Sequence, residues 1–113
     1  MSLSLKKTED GSFTLFDEET KEHYHNSAGA YLESQENYVR PAEIHKLLEK
    51  AEDLTIIDCC FGLGYNTFSL IQEILNTENF KGSVSIFAID NNPDLIKVFP
   101  KILNDLRFQD LKF

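Results

Sequence analysis

The stretch Ile56-Ile57-Asp58-Cys59-Cys60-Phe61-Gly62-Leu63-Gly64-Tyr65-Asn66 decides the fold of this chain. An apolar β-branched run ends on an acid, and a turn with two glycines then leads into an amphipathic helix. This order is typical of the first strand-to-helix crossing of a doubly wound α/β sheet, where the turn and the helix N-terminus hold a nucleotide-like ligand. The stretch therefore predicts an α/β fold with a ligand site at the turn.

The sequence around this turn predicts a unit of strand, helix, strand and helix. The short apolar run at residues 54–57 suits a central strand that is covered on both faces. Residues 65–75 have helical periodicity, and a second strand is expected over residues 83–89. The buried stripe of the first helix is predicted to contain Phe68, Ile71, Ile74 and Leu75. This order gives a right-handed crossover and hence a Rossmann-like fold, of which the first β-α-β-α unit is visible.

The end of the second strand carries the next set of signals. Asp90 follows the strand directly, and a carboxylate in that place can accept hydrogen bonds from both hydroxyls of a ribose. Asn92 suits the N-cap of a further helix and Pro93 its first position. Pro100 has no backbone N–H, so it is expected to break or restart that helix.

Three predictions concern the part of the chain before the first core strand. Residues 12–16 and 21–25 flank an acidic turn and predict a β-hairpin of two short strands. Residues 26–38 have no clean period, so we expect an irregular segment with at most one helical turn. A proline then opens a helical period, which predicts a helix over residues 41–51.

These elements divide the chain into two parts. Residues 1–38 are interpreted as an N-terminal β-hairpin extension, and residues 39–113 as the N-terminal half of a Rossmann-like cofactor-binding domain. With 113 residues, of which 42% are hydrophobic, the chain can form one compact core. A doubly wound sheet usually has about five to six strands, and two core strands are recognised here.

The excess of acidic residues limits which kinds of molecule the chain can bind. The chain has 19 acidic and 11 basic residues, which gives a formal net charge of -8. An acidic surface repels phosphate backbones, because non-specific affinity for nucleic acids comes mainly from Lys and Arg. Any contact with RNA would therefore need basic residues from elsewhere. The sequence shows neither the roughly 20 apolar residues of a membrane span nor the apolar segment of a signal peptide, so a soluble protein is expected.

The two cysteines are neighbours in the sequence. Cys59 and Cys60 cannot easily bridge each other and do not have the spacing of zinc ligands. A reducing cytoplasm is the simplest setting for them. We interpret both thiols as buried in the strand rather than reactive.

The glycine turn itself indicates which ligand it holds. Gly62 and Gly64 lack a Cβ, so the backbone can turn tightly and approach a ligand closely. A dinucleotide-binding turn requires a third glycine at the position where Thr67 stands. Asp58 lies just ahead of the turn, where its carboxylate repels a diphosphate and attracts an ammonium. These features favour S-adenosyl-L-methionine, a cationic cofactor without phosphates, although a purely structural role for the glycines is an alternative.

Two blocks of sequence resemble one family. Residues 58–66 are similar to the D-x-G-F-G-L-G-Y-N cofactor motif of the MnmC-type tRNA methyltransferases, and residues 24–34 resemble the Y-H-S…G-A…E-S segment of that family. The resemblance covers residues 12–107. It implies a class I methyltransferase fold, S-adenosyl-L-methionine as methyl donor, and the aminomethyl group of a modified wobble uridine in tRNA as acceptor.

By matching position, the resemblance also implies roles for individual residues. It places Glu33 near the active site, as a substrate-binding residue. Together with the glycine turn, it predicts that the cofactor is contacted by Asp58, Phe61, Gly62, Leu63, Gly64, Asn66 and Asp90.

The chain departs from the family in two respects. Cys60 occupies the position of the first motif glycine, which is tolerable if Cys60 keeps a negative φ. The D-x-F-x-P catalytic segment of the family has no counterpart, so no catalytic residue is assigned. N-methylation requires an amine that is positioned and deprotonated, and the acid that would orient it is absent. We therefore expect the 113 residues alone not to turn over and to bind the cofactor weakly.

Several residues have two interpretations. Phe61 and Tyr65 flank the glycines, where each could stack on a base or pack in the core. His23 and His25 would share one face of a strand, with Tyr24 on the other. No third ligand has a suitable spacing, so we interpret them as ordinary strand residues rather than a metal site.

Two rival functions stay open. The chain could be a non-catalytic binding or assembly module, a Rossmann half whose open sheet edge pairs with another copy or another chain. It could also be part of a nicotinamide-dependent oxidoreductase, which Thr67 in place of the third glycine disfavours.

Overall fold

A computed structural model describes residues 3–24, 28–50, 52–78, 80–108 and 111. These residues form an antiparallel sheet, a helical segment, a parallel β-α-β unit and three short C-terminal helices. The α/β class predicted from the glycine turn is confirmed. None of the described helices is long and apolar enough to cross a membrane.

The strands are β1 (Leu3–Lys7), β2 (Phe13–Asp17), β3 (Glu22–His23), β4 (Asp53–Cys59) and β5 (Ser83–Ile89). The α-helices are α1 (Ala30–Ser34), α2 (Arg40–Ala42), α3 (Ile44–Lys50), α4 (Tyr65–Leu75) and α5 (Phe99–Leu103). A π-helical segment (Gln35–Val39) joins α1 to α2, and two 3-10 helices cover Pro93–Lys97 and Leu106–Phe108.

The N-terminal sheet has the order β1-β2-β3 and is antiparallel throughout. Leu5 lies opposite Leu15 between β1 and β2, and Phe16 lies opposite His23 between β2 and β3. The predicted hairpin of β2 and β3 is therefore confirmed, while His25 lies outside the described residues. The sequence pattern did not predict β1.

Residues 30–39 are helical, which corrects the expectation of an irregular segment. The first backbone N–H groups of α1 donate to side-chain oxygens of the β1–β2 turn: Ala30 to Thr8 at 3.2 Å, Tyr31 to Ser12 at 3.0 Å and Leu32 to Asp10 at 2.9 Å. An N-cap satisfies N–H groups that have no partner within a helix. Here that role falls to residues about 20 positions upstream, so the local sequence carries no start signal.

The predicted helix over residues 41–51 is interrupted. Arg40–Ala42 make one turn, Glu43 has a left-handed φ of 47°, and α3 begins at Ile44. Ala51 lies outside the described residues. A single break therefore replaces the continuous helix that the periodicity predicted.

The parallel unit agrees closely with its prediction. β4 and β5 pair in parallel, with Asp53 opposite Ser83 and Cys59 opposite Ile89. The bounds of α4 and β5 are the predicted ones. In α4, Phe68 is buried and Leu75 is 63% exposed, so the predicted stripe is wrong at its last residue.

The helical start after β5 is also confirmed in position. The Asn92 side chain accepts a hydrogen bond from the Asp94 N–H at 3.1 Å, as expected of an N-cap, but the helix that follows is a 3-10 helix. A new helix, α5, begins at Phe99 with Pro100 in its first turn. The predicted restart at this proline is confirmed.

The apolar core lies between the N-terminal sheet, α4 and the C-terminal helices. Its cluster consists of Leu15, Ala30, Leu63, Tyr65, Phe68, Leu95, Ile102 and Phe108. Neither β4 nor β5 contains a buried residue, and Ile57, Phe87 and Ile89 are 64%, 59% and 57% exposed. The expectation of a strand covered on both faces is therefore wrong for β4, because within the described residues one face of this sheet has no cover.

Candidate functional site

Backbone hydrogen bonds hold the glycine turn against the end of β5. The Phe61 N–H donates to the Ile89 carbonyl at 2.9 Å, and the Gly62 N–H donates to Asp90 Oδ2 at 2.8 Å. The Gly64 N–H donates to the Phe61 carbonyl at 3.0 Å. Three N–H groups of the turn are thus engaged within the chain, and one of their acceptors is a carboxylate.

Asp90 closes β5 beside the turn, as predicted. Its Oδ1 accepts the Asn92 N–H at 3.0 Å, and Oδ2 accepts the Gly62 N–H. The residue is exposed, and each carboxylate oxygen has a second acceptor site that a ligand hydroxyl can use. A cavity of about 440 Å³ adjoins it, with Phe61, Asn91, Ile96 and Phe99 among its lining residues.

The two glycines of the turn have different roles. Gly62 has φ 61°, and the nearest atom to a Cβ built on it is 3.7 Å away. A Cβ there would meet only ordinary contacts, so the positive φ, and not a lack of space, is what favours glycine at this position. Gly64 has φ 92°, and a Cβ there would lie 2.6 Å from the Phe68 ring and 2.7 Å from the Phe61 ring. Gly64 is thus needed for the packing of these two rings, whose centroids are 5.9 Å apart.

Asp58 faces a second cavity, of about 330 Å³. The Thr67 hydroxyl donates a hydrogen bond to Asp58 Oδ2, which orients the carboxylate. Asn66 also lines the cavity, and its buried Oδ1 has no hydrogen-bond partner in the described part of the chain. Apolar walls come from Val39 and Leu70. The cavity thus combines one carboxylate and one unpartnered amide oxygen with an apolar lining.

The charge of both cavities has the same sign. Asp58 lines one and Asp90 the other, and no Lys, Arg or His among the described residues lines either. Carboxylates favour cations and disfavour anions in such surroundings. Within the same described residues, no group of three His, Cys, Asp or Glu is placed to hold a metal ion.

Two predicted site residues turn their side chains elsewhere. Leu63 is fully buried in the core cluster, so its backbone alone is available to a ligand. Glu33 lines a third cavity, with Gly29 and Glu36, and its place near the active site stays a prediction.

The structure decides between core packing and base stacking for Tyr65, and it gives Phe61 both core contacts and a place in a cavity. Tyr65 is 1% exposed, and its hydroxyl accepts the Phe13 N–H at 2.9 Å, so core packing is confirmed. Burial raises the pKa of Tyr65 to about 12. Phe61 is half-buried and lies edge-on to Phe68 and Phe99, with centroid distances of 5.9 Å and 6.0 Å. It also lines the cavity beside Asp90.

The cysteines differ from expectation in two ways. Both Cys59 and Cys60 are exposed, which corrects the prediction that they are buried in the strand. Cys60 has φ 62°, so it does not keep the negative φ under which its replacement of a glycine would be tolerated. The exposure of the thiols follows from the uncovered sheet face, whereas the positive φ of Cys60 belongs to the turn itself.

Two side chains that sequence reasoning did not assign to the site lie beside it. Thr67 was noted only as a missing glycine, yet it orients Asp58. Tyr24 was interpreted as a strand residue, yet its ring lies 4.0 Å from the position of a Cβ on Gly62. The contact of Tyr24 joins distant parts of the chain, and no local pattern signals it.

Comparison with known proteins supports this fold. No family model matches the chain. An uncharacterized protein of Methanocaldococcus jannaschii, MJ0670, is 32% identical over 74 residues, which is 66% of this chain and 20% of that protein. The crystal structure of MnmC2 from Aquifex aeolicus is similar with a TM-score of 0.67 and 28% identity, over 92% of this chain and 37% of that chain. The chain therefore has an MnmC-like, partial Rossmann-like fold and spans about a fifth of the curated relative's length.

Proposed function

We propose that this chain is the cofactor-binding portion of an S-adenosylmethionine-dependent methyltransferase that acts on the aminomethyl group of a modified wobble uridine in tRNA. The observation that carries the proposal is the glycine turn, whose N–H groups already donate to Ile89, Asp90 and Phe61. A dinucleotide needs such N–H groups free for its diphosphate, whereas a sulfonium nucleoside does not. The likeness to MnmC2 supports the same class of function.

The predicted cofactor residues have complementary roles in this proposal. Asp90 would accept the ribose hydroxyls, Phe61 would line the nucleoside cavity, and Gly62 would allow the turn through its positive φ. Asp58 would accept a hydrogen bond from the ammonium of the amino-acid chain, and Asn66 lines the same cavity. These residues fit a ligand that is cationic and free of phosphate.

When bound, S-adenosylmethionine supplies a methyl group that an amine nitrogen attacks in line with the departing sulfur. The residues of this chain would bind and orient that donor. Recognition of tRNA is assigned to basic regions other than this acidic chain, whose net charge is -8. A cytoplasmic location, and a division into the extension 1–38 and the cofactor-binding half 39–113, belong to the same proposal.

The decisive experiment compares ligands and two matched variants of the chain. The unchanged protein should bind S-adenosylmethionine in a two-dimensional NMR titration and should not bind NAD. Asp90→Asn should weaken that binding by about 1–3 kcal/mol, because charge-assisted hydrogen bonds to the ribose are lost. Asp94→Asn removes an exposed carboxylate that does not line the cavity and should leave the affinity unchanged.

Equal affinities of the two variants would remove Asp90 from the cofactor site. Binding of NAD at least as tight as that of S-adenosylmethionine would reject the methyltransferase assignment. The spectrum of each variant without ligand shows whether its fold is intact.

We also propose a second candidate function, a non-catalytic module in which a second copy of the chain covers the open face of the β4–β5 sheet. Ile57 and Phe87 are partners in the β4–β5 register, and with Ile89 they form an exposed apolar face. Parallel sheets are normally covered on both faces, and exposed apolar patches commonly mark interfaces. This candidate needs no cofactor, so it is distinct from the first.

A further inference from the structure

Tyr24 lies across the glycine turn although it comes from the N-terminal sheet. Its N–H donates to the Leu15 carbonyl at 2.8 Å, which extends the β2–β3 pairing by one residue. Ring atom Cδ2 lies 4.0 Å from the position of a Cβ on Gly62, and the hydroxyl accepts a hydrogen bond of 3.4 Å from Asn92 Nδ2. The antiparallel sheet thus places one aromatic side chain on the turn of the parallel unit.

Hydrogen bonds join the surroundings of Tyr24 into one cluster. The Asn92 N–H donates to Asp90 Oδ1, while Asp90 Oδ2 accepts the Gly62 N–H. These residues follow the carboxyl ends of β4 and β5, which is the edge where open α/β sheets bind ligands. Tyr24 therefore lies at the edge of the β4–β5 sheet where ligands of such folds bind.

We propose that Tyr24 is an aromatic wall of the cofactor site and recognises the positive charge of the sulfonium. This inference rests on the proposed methyltransferase function and assigns to it a residue from outside the Rossmann-like unit. A cation within about 6 Å of a tyrosine ring is attracted by the negative face of that ring. Tyr24 is 38% exposed, so part of its ring is open to a ligand.

The surrounding charges support recognition of a cation by this ring. Asp58 and Asp90 flank the turn, and no basic residue in the described part of the chain lines either adjoining cavity. No lysine or arginine of these cavities would therefore repel a cationic ligand or take its place over the ring. If Tyr24 served only to cover Gly62, the protein would show no preference for charged ligands.

The test compares S-adenosylmethionine with S-adenosylhomocysteine, which has a neutral thioether in place of the sulfonium. Tyr24→Leu keeps apolar volume but removes the ring, and it should weaken binding of the sulfonium about fivefold to tenfold. Binding of the thioether should change less than about twofold. Tyr24→Phe keeps the ring and should preserve the preference for the sulfonium.

A second measurement uses the unchanged chain and does not depend on the folding of a variant. The S-methyl protons of bound S-adenosylmethionine should give nuclear Overhauser contacts to the Tyr24 ring protons. Absence of these contacts in a bound complex, or equal losses for both ligands in Tyr24→Leu, would overturn the role of Tyr24 alone. Absence of any S-adenosylmethionine binding to the unchanged chain would overturn the proposed function and this inference together.

Discussion

Cys60 is the residue at which the glycine turn departs most from ordinary backbone geometry. Its φ of 62° is nearly that of Gly62, at 61°, but Cys60 carries a Cβ. The left-handed conformation costs a non-glycine residue about 1–2 kcal/mol. We predict that Cys60→Gly raises the free energy of unfolding by about 1 kcal/mol, since the exposed side chain gives up little packing. Urea unfolding at neutral pH measures this change.

Cys60→Ala is the matched control, because it removes the thiol and keeps the Cβ. It should leave the stability within about 0.5 kcal/mol of the unchanged chain. An equal gain in both variants would mean that the thiol, and not the backbone conformation, is the source of the cost. The family motif indicated a glycine here, but the sequence could not say whether cysteine would adopt the same φ.

At the scale of the element, the start of α1 depends on the β1–β2 turn. Asp10 Oδ1 accepts hydrogen bonds from Thr8 and from the N–H and hydroxyl of Ser12, and Oδ2 accepts the Leu32 N–H at 2.9 Å. Burial opposes the ionised form of Asp10, but these hydrogen bonds outweigh it and lower the pKa below its ordinary value of 3.8. The ionised carboxylate therefore stabilises both the turn and the helix.

The lowered pKa predicts a dependence of stability on pH with a definite sign. The contribution of Asp10 is present above pH 3.8 and is lost as the pH falls through the lower pKa of the folded state. We predict that the unchanged chain loses more stability than Asp10→Asn as the pH is lowered from about 5 to about 3. Urea unfolding at several pH values measures both slopes, and equal slopes would contradict the prediction.

At neutral pH the same substitution should cost about 1–2 kcal/mol, because hydrogen bonds to a charged acceptor are weakened. Glu9→Gln is the control, since Glu9 is exposed and lies beside Asp10 in the same turn. Its effect should stay within about 0.5 kcal/mol. A comparable loss in the control would assign the effect to net charge and not to the cap of α1.

The same elements show what the sequence could and could not predict. α4 and β5 were predicted to the residue because local signals bound them: the glycine turn before α4, Gly82 before β5 and Asp90 after it. The helical residues 30–39 were missed because their caps lie in another element. β1 was missed because pairing with β2, and not its own pattern, makes it a strand.

In the candidate site, too, some positions could be predicted from the sequence and others could not. Asp90 was correctly placed beside the turn, since a strand end followed by an acid is a local pattern. The place of Glu33 in a cavity with Gly29 was not predictable, because it depends on how the β1–β2 turn positions α1. The position of Tyr24 over Gly62 likewise depends on packing between two sheets.

At the scale of the whole molecule, the core and the parallel sheet do not coincide. The core joins Leu15 of the N-terminal sheet to Phe68 of α4 and Phe108 near the C-terminal end. The β4–β5 pair lies beside that core and leaves one apolar face open. The apolar run of β4 indicated two covered faces, but a sequence pattern cannot show whether the covering element belongs to the same chain. The turn that is proposed to bind the cofactor thus lies between a packed core and an uncovered sheet.

This open face gives the last prediction, which concerns self-association. If a second copy covers the face, the average mass in sedimentation should rise with protein concentration. The mass should also rise when salt is raised from about 0.05 M to about 0.5 M, because salt screens the repulsion between chains of charge -8. Phe87→Ser should abolish the rise, since Phe87 is at the centre of the face and 59% exposed. Leu75→Ser changes an equally exposed apolar residue at the end of α4 and should have no effect. A monomer under all conditions would exclude a second copy as the cover, whereas association that persists in Phe87→Ser would place the contact outside this face.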